Sequence, residues 1–329
     1  MALTDKTILI TGGTGSFGQA CLKVLLEHYD VRAIRIFSRD ELKQSELQAR
    51  YAGEPRLRFF IGDIRDRERL VRATHGVDLI LHAAAMKQVP VAEYNPFEAV
   101  QTNVIGAENV VAAAIENGVP HTLALSTDKA VNPVNLYGAT KLCAEKIVTQ
   151  GNAYAADSPV RFASVRYGNV VGSRGSVIPL FVRQAETGEL TITDERMTRF
   201  WITLPQAVEF VLSRVPMMEG GEVYVPKIPS MRILDVADAI APDATRRITG
   251  IRPGEKLHEV LLTEDEARHA LELDDSYVIF PEFPSWRVEP FTGGAAVPEG
   301  FRYSSDANDR WLNADELRSM LPTVAVTTP

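Results

Sequence analysis

Close to the N-terminus lies Thr7-Ile8-Leu9-Ile10-Thr11-Gly12-Gly13-Thr14-Gly15-Ser16-Phe17-Gly18, an apolar run that leads directly into a glycine-rich turn. The run predicts a buried strand, and the turn predicts the start of a helix. Gly12, Gly15 and Gly18 recur every three residues, while Gly13, Gly15 and Gly18 fit the spacing G-x-G-x-x-G. Such glycines let the backbone approach a pyrophosphate at a helix N-terminus. A plain glycine turn is the alternative, but the position after the first strand favours dinucleotide binding.

Further apolar runs follow at the spacing of strand–helix units. Candidate strands cover residues 33–38, 57–61, 79–83 and 122–126. Between them the apolar periodicity is helical, most clearly over 96–117, where Asn95 suits the N-cap and Gly118 the C-terminal stop. Strands separated by helices predict parallel pairing with right-handed crossovers. We therefore expect an α/β fold: a doubly wound parallel sheet forming a Rossmann domain over 1–170, and a smaller substrate lobe mainly over 171–329, with the chain crossing between them.

The composition excludes several classes of protein. The chain has 329 residues, 45% of them hydrophobic, and a formal net charge of −8, which argues against nucleic-acid binding. The six histidines show no metal-ligand spacing, so no metal is expected. Cys21 and Cys143 lie in no pairing motif, which fits a reducing compartment. Because no apolar run approaches the ~18 residues of a membrane span and no signal sequence is present, we expect a cytoplasmic protein without membrane contact.

The end of the second candidate strand predicts which dinucleotide is bound. An NAD-binding domain normally carries an acid there, whereas this chain reads Phe37-Ser38-Arg39-Asp40-Glu41-Leu42-Lys43. Lys43 falls one helical turn after Arg39, and two cations beside the Ser38 hydroxyl suit the 2′-phosphate of NADP. A solvated helix start with mixed charges is the alternative. After the third strand, Asp63-Ile64 is a candidate adenine contact, with a helix cap as the alternative for Asp63.

Two further segments carry candidate catalytic groups. Ser126-Thr127-Asp128-Lys129 ends a strand, which in a parallel sheet points into the ligand crevice. Tyr137 and Lys141 follow four residues apart, on one face of a helix. A lysine ammonium would lower the pKa of Tyr137, and the phenolate could take a proton from a carbinol as hydride leaves for the cofactor. For Asp128-Lys129 the alternative is a solvated pair.

The predicted catalytic residues are Thr127, Asp128, Lys129, Tyr137 and Lys141. The predicted cofactor contacts are Gly12, Thr14, Gly15, Ser16, Phe17, Gly18, Ser38, Arg39, Asp40, Lys43, Asp63, Ile64, Ala83, Tyr137 and Lys141.

With these motifs the chain resembles the extended short-chain dehydrogenase/reductases and, within them, the inverting UDP-N-acetylglucosamine 4,6-dehydratases that begin pseudaminic acid synthesis. The matching segments include 11–18, 38–43, 83–87, 126–130, 135–141, 166–170, 197–201, 252–256 and 303–306. The nucleotide loop and Y-x-x-x-K indicate only the superfamily, whereas Thr127-Asp128-Lys129 narrows the resemblance. Retaining dTDP-glucose dehydratases have Glu where Lys129 stands. Membrane-bound relatives that retain C5 usually have Met in place of Tyr137.

The resemblance implies a reaction and a set of roles. Tyr137 would deprotonate the sugar C4 hydroxyl as hydride passes to NADP⁺, and the 4-ketone would acidify the C5 hydrogen. Lys129 would transfer the C5 proton, which requires a neutral amine and hence a pKa depressed by burial near the cationic cofactor. Asp128 would protonate the departing C6 hydroxyl. Hydride would return to C6 and C5 would invert, so that the net reaction is loss of water.

The same resemblance implies contacts to the sugar nucleotide. The predicted substrate residues are Lys87, Asn169, Arg199, Arg252 and Glu255. The two arginines are candidates for the diphosphate, Glu255 for the uridine ribose, and Lys87 and Asn169 for the sugar; a surface charge or an inter-lobe pair is the alternative in each case. Two long predicted helices, near 96–117 and 137–157, could pair across a two-fold axis, and the resemblance suggests a homo-oligomer, either a dimer or a hexamer.

Three other functions remain open at this point. A UDP-sugar 4-epimerase uses the same nucleotide loop and Tyr/Lys pair but does not need Asp128-Lys129. A capsule-pathway dehydratase that also epimerises C5 has motifs too close to separate. A non-catalytic NADP-binding regulator would leave the complete catalytic set unexplained.

Overall fold

Strands and helices alternate through the first half of the chain, as predicted. The computed structural model describes residues 3–155, 158–173, 175–284, 286, 291 and 293–321. The strands of the first half are β1 (Thr7–Thr11), β2 (Ala33–Ser38), β3 (Leu57–Ile61), β4 (Leu79–His82), β5 (His121–Leu125) and β6 (Arg161–Val165). Its helices are α1 (Ser16–His28), α2 (Glu41–Arg50), α3 (Arg67–Thr74), α4 (Val89–Tyr94), α5 (Pro96–Val100), α6 (Gly106–Glu116) and α7 (Leu136–Ala155). Each predicted strand matches the observed one to within one residue.

The second half has shorter elements. Its strands are β7 (Asn169–Val170), β8 (Glu189–Ile192), β9 (Thr198–Ile202), β10 (Val223–Pro226), β11 (Ser230–Arg232), β12 (Thr245–Ile248), β13 (Val260–Leu262), β14 (Ala270–Glu272), β15 (Ser276–Ile279), β16 (Ala295–Ala296) and β17 (Tyr303–Ser304). Its helices are α8 (Val177–Ala185), α9 (Leu204–Arg214), α10 (Ile233–Ile240), α11 (Glu264–Ala267) and α12 (Ala314–Met320). No helix within the described ranges is long and apolar enough to cross a membrane.

The main sheet confirms the predicted doubly wound parallel architecture. Its described strands run in the order β16-β14-β15-β10-β6-β5-β4-β1-β2-β3. Pairing is parallel from β3 to β10 and antiparallel from β10 through β15 and β14 to β16. The strand order reverses between β1 and β4, so the crevice of a doubly wound sheet opens beyond the carboxyl ends of these two strands.

Side-chain alternation along the strands covers both faces of this sheet. Ile8 and Ile10 of β1 pack on one face with α1 and α9, while Leu9 packs on the other face with α3, α6 and α7. All three isoleucine and leucine side chains are fully buried, as expected for a parallel sheet sandwiched between helices. Because α9 and β10 come from the second half, the sheet domain draws on both halves of the chain. The division at residue 170 stays a prediction.

The predicted helix over 96–117 contains an irregularity that the apolar periodicity does not show. Between α5 and α6 the residues Gln101–Ile105 form a π-helical turn. Asn95 occupies the N-cap position of α5 as predicted, but its side chain makes no capping hydrogen bond, because its amide donates to the Val91 carbonyl oxygen of the preceding helix α4. Gly118, with φ +61°, follows the end of α6 as expected. Of the second predicted long helix, residues 156 and 157 lie outside the described residues.

A separate core stabilises the substrate lobe. Trp201 of β9 is fully buried against Phe181 of α8 and Val236 of α10, among other apolar side chains. Smaller sheets join β11, β9 and β7, then β12 and β8, then β13 and β17. β7 and β9 pair in parallel, so the segment that leaves β6 is tied directly to this lobe.

A buried ion network connects the two halves. Arg166, just after β6, donates from Nε and Nη2 to the Glu145 carboxylate of α7 at 2.8 and 2.6 Å. It also donates from Nη1 and Nη2 to Glu266 of α11 at 3.0 and 2.6 Å. Arg166 and Glu145 are each 1% exposed, so neither charge could be left without the other.

Replacing this arginine should strongly destabilise the protein. Arg166→Met leaves the Glu145 carboxylate buried without a counter-charge, and we expect urea denaturation to show a free energy of unfolding lower by about 3–5 kcal/mol. Arg196→Ala is the control, because the Arg196–Asp194 pair is on the surface and its loss should change little. Equal urea midpoints for Arg166→Met and the parent would contradict the assignment.

The loss of stability in Arg166→Met should also depend on pH. Burial acts to raise the pKa of Glu266, but the ion pair with Arg166 outweighs it and holds that pKa below the usual 4.5. The resulting stability is present above the unfolded-state pKa and is lost as pH falls through the folded-state value. The difference between Arg166→Met and the parent should therefore shrink in acid.

Candidate active site

The predicted site residues converge beyond the carboxyl ends of β1, β4, β5 and β6. At the ends of β1 and β4, the Thr11 hydroxyl and His82 Nδ1 lie 2.8 Å apart, and the Ala84 amide donates to Thr11 Oγ1 at 3.3 Å. Burial, with a smaller contribution from the Lys141 charge, lowers the pKa of His82 to about 3. The imidazole is therefore neutral, and it joins the two strands on either side of the crevice.

The glycine turn after β1 has the shape that a pyrophosphate needs. Gly12 has φ +67°, and an added Cβ there would lie 2.9 Å from the backbone of Ala84. At Gly18 an added Cβ would lie 2.5 Å from Gly13 Cα, so only glycine lets α1 pack so close to the turn. Gly15 caps α1 without a side-chain hydrogen bond, leaving the first-turn amides uncapped by any side chain. These features fit a dinucleotide diphosphate at the helix N-terminus.

The predicted 2′-phosphate residues lie together at the carboxyl end of β2. The Ser38 hydroxyl accepts a hydrogen bond from Gln44 Nε2 at 3.0 Å. Lys43 Nζ pairs with Asp40 at 2.5 Å, and Arg39 Nη1 pairs with Asp63 at 3.4 Å. Both cationic side chains are about half exposed, at 48% and 56%, so they remain accessible to an anion from solvent. Asp40 additionally caps α2 by accepting from the Lys43 amide.

The predicted adenine contacts have partners of their own. Asp63 accepts from Arg65 Nε and Nη2 at 2.9 and 2.7 Å, and from the Arg65 amide at 2.9 Å. The cap of α3 is Asp66 rather than Asp63, so the helix-cap alternative for Asp63 is wrong. Ile64 is buried in the core on the α6 side of the sheet, where it packs against Gly106. The adenine role of both residues stays a prediction.

A short 3₁₀ turn after β5 holds the predicted acid and base. Thr127 Oγ1 donates to Asp128 Oδ1 at 2.9 Å, and Lys129 Nζ donates to the same oxygen at 2.9 Å. Asp128 is fully buried, and its Oδ2 has no hydrogen-bond partner. Burial is the main cause that raises the pKa of Asp128, and a nearby glutamate adds to it. A carboxyl group with a raised pKa is suited to donate a proton.

Lys129 is surrounded by acceptors. Its Nζ donates to Asn169 Oδ1 at 3.2 Å and lies 3.4 Å from Glu259 Oε1. Burial acts to lower the pKa of Lys129, but the charges of Asp128 and Glu259 outweigh it and raise the pKa well above its ordinary value. The prediction of a depressed pKa is therefore wrong in this structure, because the charges of two carboxylates outweigh the effect of burial at this amine.

Tyr137 lies next to this pair. Burial raises the pKa of its phenol, while the Lys129 charge and a hydrogen bond with the Thr127 hydroxyl lower it in part. The cation that lowers the pKa of Tyr137 is thus Lys129. The sequence predicted Lys141 for this role, and that prediction is wrong. Lys141 Nζ instead donates to the Leu125 carbonyl oxygen at 2.5 Å, and burial lowers the pKa of Lys141 to about 8.

The remaining predicted substrate residues differ in their surroundings. The Arg199 guanidinium donates to the carbonyl oxygens of Thr198, Leu257 and Lys256 at 2.7 to 3.0 Å, so it also supports the wall of the site. Arg252 is 58% exposed and lies 3.8 Å from Glu255, in a loop next to the site. Lys87 lies in the loop between β4 and α4. The substrate contacts of all of them stay predictions.

Sequence reasoning missed three residues that organise the site. Glu259 is the second carboxylate at Lys129. Lys256 Nζ donates to the Asp128 and Val131 carbonyl oxygens at 3.3 and 2.5 Å, which holds the 3₁₀ turn Asp128–Ala130, the predicted catalytic turn, in place. Asn103, in the π-helical turn, holds the loop after β4 through both Met86 backbone groups at 2.8 and 3.0 Å. Of these three residues, only Lys256 lies in a segment that carries the family resemblance, 252–256.

Comparison with known proteins gives consistent matches along nearly the whole chain. Residues 8–281 match the family model described as polysaccharide biosynthesis protein. The chain is 51% identical over 325 residues to the inverting UDP-N-acetylglucosamine 4,6-dehydratase of Campylobacter jejuni, with 96% of this chain and 97% of that protein covered. It is 41% identical over 333 residues to a UDP-glucose 4-epimerase of Rickettsia canadensis, at 97% and 96% coverage. The solved structure of Pen from Bacillus thuringiensis superposes with a TM-score of 0.87 at 38% identity, covering 97% of this chain and 99% of that one.

The close packing at Gly18 yields a direct test of the nucleotide turn. In Gly18→Ala the new Cβ would meet the Gly13 backbone at 2.5 Å, so α1 must shift away from the turn. We expect dinucleotide affinity, measured by calorimetry, to fall by tenfold or more, since about 1.4 kcal/mol of lost contact suffices. Ala20→Gly in the same helix is the control for a weakened helix without the clash. Parental affinity in Gly18→Ala would show that the turn does not hold the dinucleotide.

Proposed function

We propose that this chain, which belongs to the inverting UDP-N-acetylglucosamine 4,6-dehydratases, dehydrates UDP-N-acetylglucosamine with NADP as cofactor. These enzymes are extended short-chain dehydrogenase/reductases, and the chain belongs to the polysaccharide biosynthesis protein family. The protein is a hydro-lyase, and the proposed product is UDP-2-acetamido-2,6-dideoxy-β-L-arabino-hex-4-ulose. The cluster of Tyr137 with Asp128 and Lys129 carries the proposal. Oxidation alone needs only the tyrosine, whereas loss of water also needs an acid and a base.

Tyr137 starts the reaction. Its phenolate takes the proton of the C4 hydroxyl, and the Lys129 charge favours that phenolate. NADP held at the glycine turn after β1 would supply the redox chemistry, as acceptor of the C4 hydride and later as hydride donor for C6. The 4-ketone so formed acidifies the C5 hydrogen.

The Asp128–Lys129 pair carries out the elimination. Moving one proton along the 2.9 Å hydrogen bond from Lys129 Nζ to Asp128 Oδ1 gives a neutral amine and a neutral carboxyl group together. The amine then removes the C5 proton, and the carboxyl group protonates the C6 hydroxyl as water leaves. The raised pKa of Asp128 favours this transfer, and the raised pKa of Lys129 opposes it. Inversion requires that C5 regain a proton on its opposite face, so solvent hydrogen should appear there.

Ser38, Arg39 and Lys43 support the choice of NADP. Both cations lie at the carboxyl end of β2 and are exposed enough to turn from Asp63 and Asp40 to a phosphate. A dianionic 2′-phosphate would replace carboxylates as the partner of each cation, whereas a ribose hydroxyl would not compete with them.

The proposal extends to compartment and assembly. Cys21 and Cys143 are both unpaired thiols, which fits the cytoplasm. Tyr94, Phe97 and Tyr154 are 88%, 69% and 71% exposed on α4, α5 and α7. Exposed aromatic side chains of this kind are typical of contact surfaces, which supports a homo-oligomer.

The relative named as a UDP-glucose 4-epimerase keeps a second function in view, since it matches 97% of this chain. Mass spectrometry of the UDP-N-acetylglucosamine reaction separates the two activities. A dehydratase yields a product lighter by one water with no net reduced cofactor. An epimerase yields a product of unchanged mass, and a regulator yields none.

The choice of cofactor predicts a measurable preference. Calorimetry on protein stripped of dinucleotide should show tighter binding of NADP than of NAD. Arg39→Ala should reduce that preference by about tenfold or more, because a charge-assisted hydrogen bond contributes about 1.5–3 kcal/mol. Arg72→Ala, on the exposed side of α3, serves as the control. Equal affinities in the parent would rule out the 2′-phosphate site.

The roles of Tyr137 and Lys129 predict different defects. Tyr137→Phe should stop every step and leave no transient NADPH. Lys129→Ala should still oxidise C4, so enzyme-bound NADPH should accumulate, while dehydration falls by about 10²–10⁴-fold. Its oxidation step should also require higher pH than in the parent, because Lys129 no longer lowers the pKa of Tyr137.

Deuterated water checks the same assignment. NMR of the fresh parental product should show deuterium at an inverted C5, and Lys129→Ala should introduce it very slowly. If Lys129→Ala dehydrates and inverts C5 at nearly the parental rate, Lys129 is not the group that transfers the C5 proton.

A further inference from the structure

Glu259 is a buried carboxylate to which the mechanism above gives no role. Its residue is 2% exposed, and three cationic side chains surround it. Lys129 Nζ and Arg199 Nε lie 3.4 and 3.8 Å from Oε1, and Lys256 Nζ lies 3.4 Å from Oε2. Burying a carboxylate costs several kcal/mol unless charges compensate it, so this arrangement needs an explanation.

The backbone of Glu259 is fixed from two sides. Its amide donates to Ser305 Oγ at 2.9 Å, and its carbonyl oxygen accepts from the Ser305 amide at 2.8 Å. This contact lies where β13 and β17 come together. The glutamate is therefore held by the second half of the chain, while the lysine it faces lies on the turn after β5, in the first half.

Glu259 also acts on the turn itself. Lys256, one of its three cationic partners, donates to the Asp128 and Val131 carbonyl oxygens. The carboxylate thus contacts the catalytic amine directly and the backbone of the catalytic turn through one intermediate. Within the part of the chain that the structure describes, Asp128 and Glu259 are the two acidic residues in contact with Lys129.

We propose that Glu259 is a positioning residue for the dehydration, which holds the Lys129 ammonium between Asp128 and Asn169 and sets the pH range over which the Asp128–Lys129 pair retains its proton. The proposal rests on the proposed function for its catalytic meaning, but the arrangement of charges does not depend on it. Glu259 touches neither sugar nor cofactor in this role; it acts through Lys129.

The electrostatic consequences follow from the groups that face this cluster. The Glu259 charge raises the pKa of both Asp128 and Lys129, and the charges of Lys129, Arg199 and Lys256 hold the pKa of Glu259 below its usual value despite burial. His258, the neighbouring titratable group, is turned to the Thr198 hydroxyl at 2.9 Å. Removing the Glu259 charge should therefore let the Asp128–Lys129 pair lose its proton at lower pH.

The first test measures this protonation without turnover. An amine-reactive reagent labels only neutral lysine, so the pH at which Lys129 becomes labelled, followed by peptide mass spectrometry, reports its ionisation. In Glu259→Gln this pH should fall by about 1–3 units, the shift that one adjacent charge produces. Glu259→Asp keeps the charge at a longer distance and should lie between Glu259→Gln and the parent.

Glu222→Gln is the matched control. Glu222 is also buried, at 1% exposed, but it accepts hydrogen bonds from the Glu219 and Gly220 amides just before β10. It lies at the amino end of that strand, whereas Lys129 lies beyond the carboxyl ends of the parallel strands. Its substitution should leave the labelling pH of Lys129 at the parental value.

The second test asks whether the charge matters for dehydration. At saturating UDP-N-acetylglucosamine, the alkaline limb of kcat should move to lower pH in Glu259→Gln and be restored in part by Glu259→Asp. A residue needed only for folding would lower kcat at all pH values without moving the limb. Unchanged labelling and an unmoved limb in Glu259→Gln would overturn the proposal; if that variant does not fold, parental behaviour of Glu259→Asp in both assays would do the same.

The two proposals fail in different ways. If the parent releases no dehydrated sugar but Glu259→Gln still shifts the labelling of Lys129, the proposed function is wrong and the charge positioning stands. If the parent dehydrates its substrate and the labelling of Lys129 does not respond to Glu259, only the positioning role is lost.

Discussion

Buried charge is the constraint on which this site depends. Asp128 and Glu259 are almost fully buried beside the partly exposed Lys129, and a buried carboxylate is tolerable only beside an opposite charge. Two carboxylates and one ammonium carry a net negative charge, and the nearby Arg199 and Lys256 offset it. The cluster therefore holds its members in place by mutual compensation, and any proton transfer within it redistributes charge without exporting it.

The same constraint explains why both halves of the chain are needed to build the site. The first half supplies the catalytic turn and Tyr137, at the carboxyl ends of parallel strands. The second half supplies Glu259 and Lys256. Arg166 adds a second charged connection, since its two glutamate partners lie on α7 and α11. The charges at Lys129 and Arg166 therefore depend on residues of both halves of the chain.

The sequence predicted those features that local patterns encode. Strand bounds and the glycine turn follow from periodicity and spacing, and the family resemblance is confirmed by the relatives. The predicted effect of Lys141 on Tyr137 is wrong, because Lys141 donates to the Leu125 carbonyl oxygen and Lys129 is the cation that acts on the phenol. The π-helical turn at Gln101–Ile105 was missed because its apolar residues still recur at near-helical spacing. Glu259 was missed because it approaches Lys129 only after the chain has folded, and 130 positions separate the two in sequence.

The prediction for Lys129 is wrong in the direction of its pKa shift. Burial and a cationic cofactor both lower an amine pKa, and the sequence shows the conditions for both. In the structure the charges of Asp128 and, to a smaller extent, Glu259 lie at this amine, and together they reverse the balance. A lysine that is protonated in the free enzyme can still serve as a base if it first transfers its proton to a hydrogen-bonded acceptor. Asp128 Oδ1, 2.9 Å from Lys129 Nζ, is such an acceptor. A raised pKa of Lys129 is then compatible with the proposed reaction, in which one proton shift would give the base for C5 and the acid for C6 together.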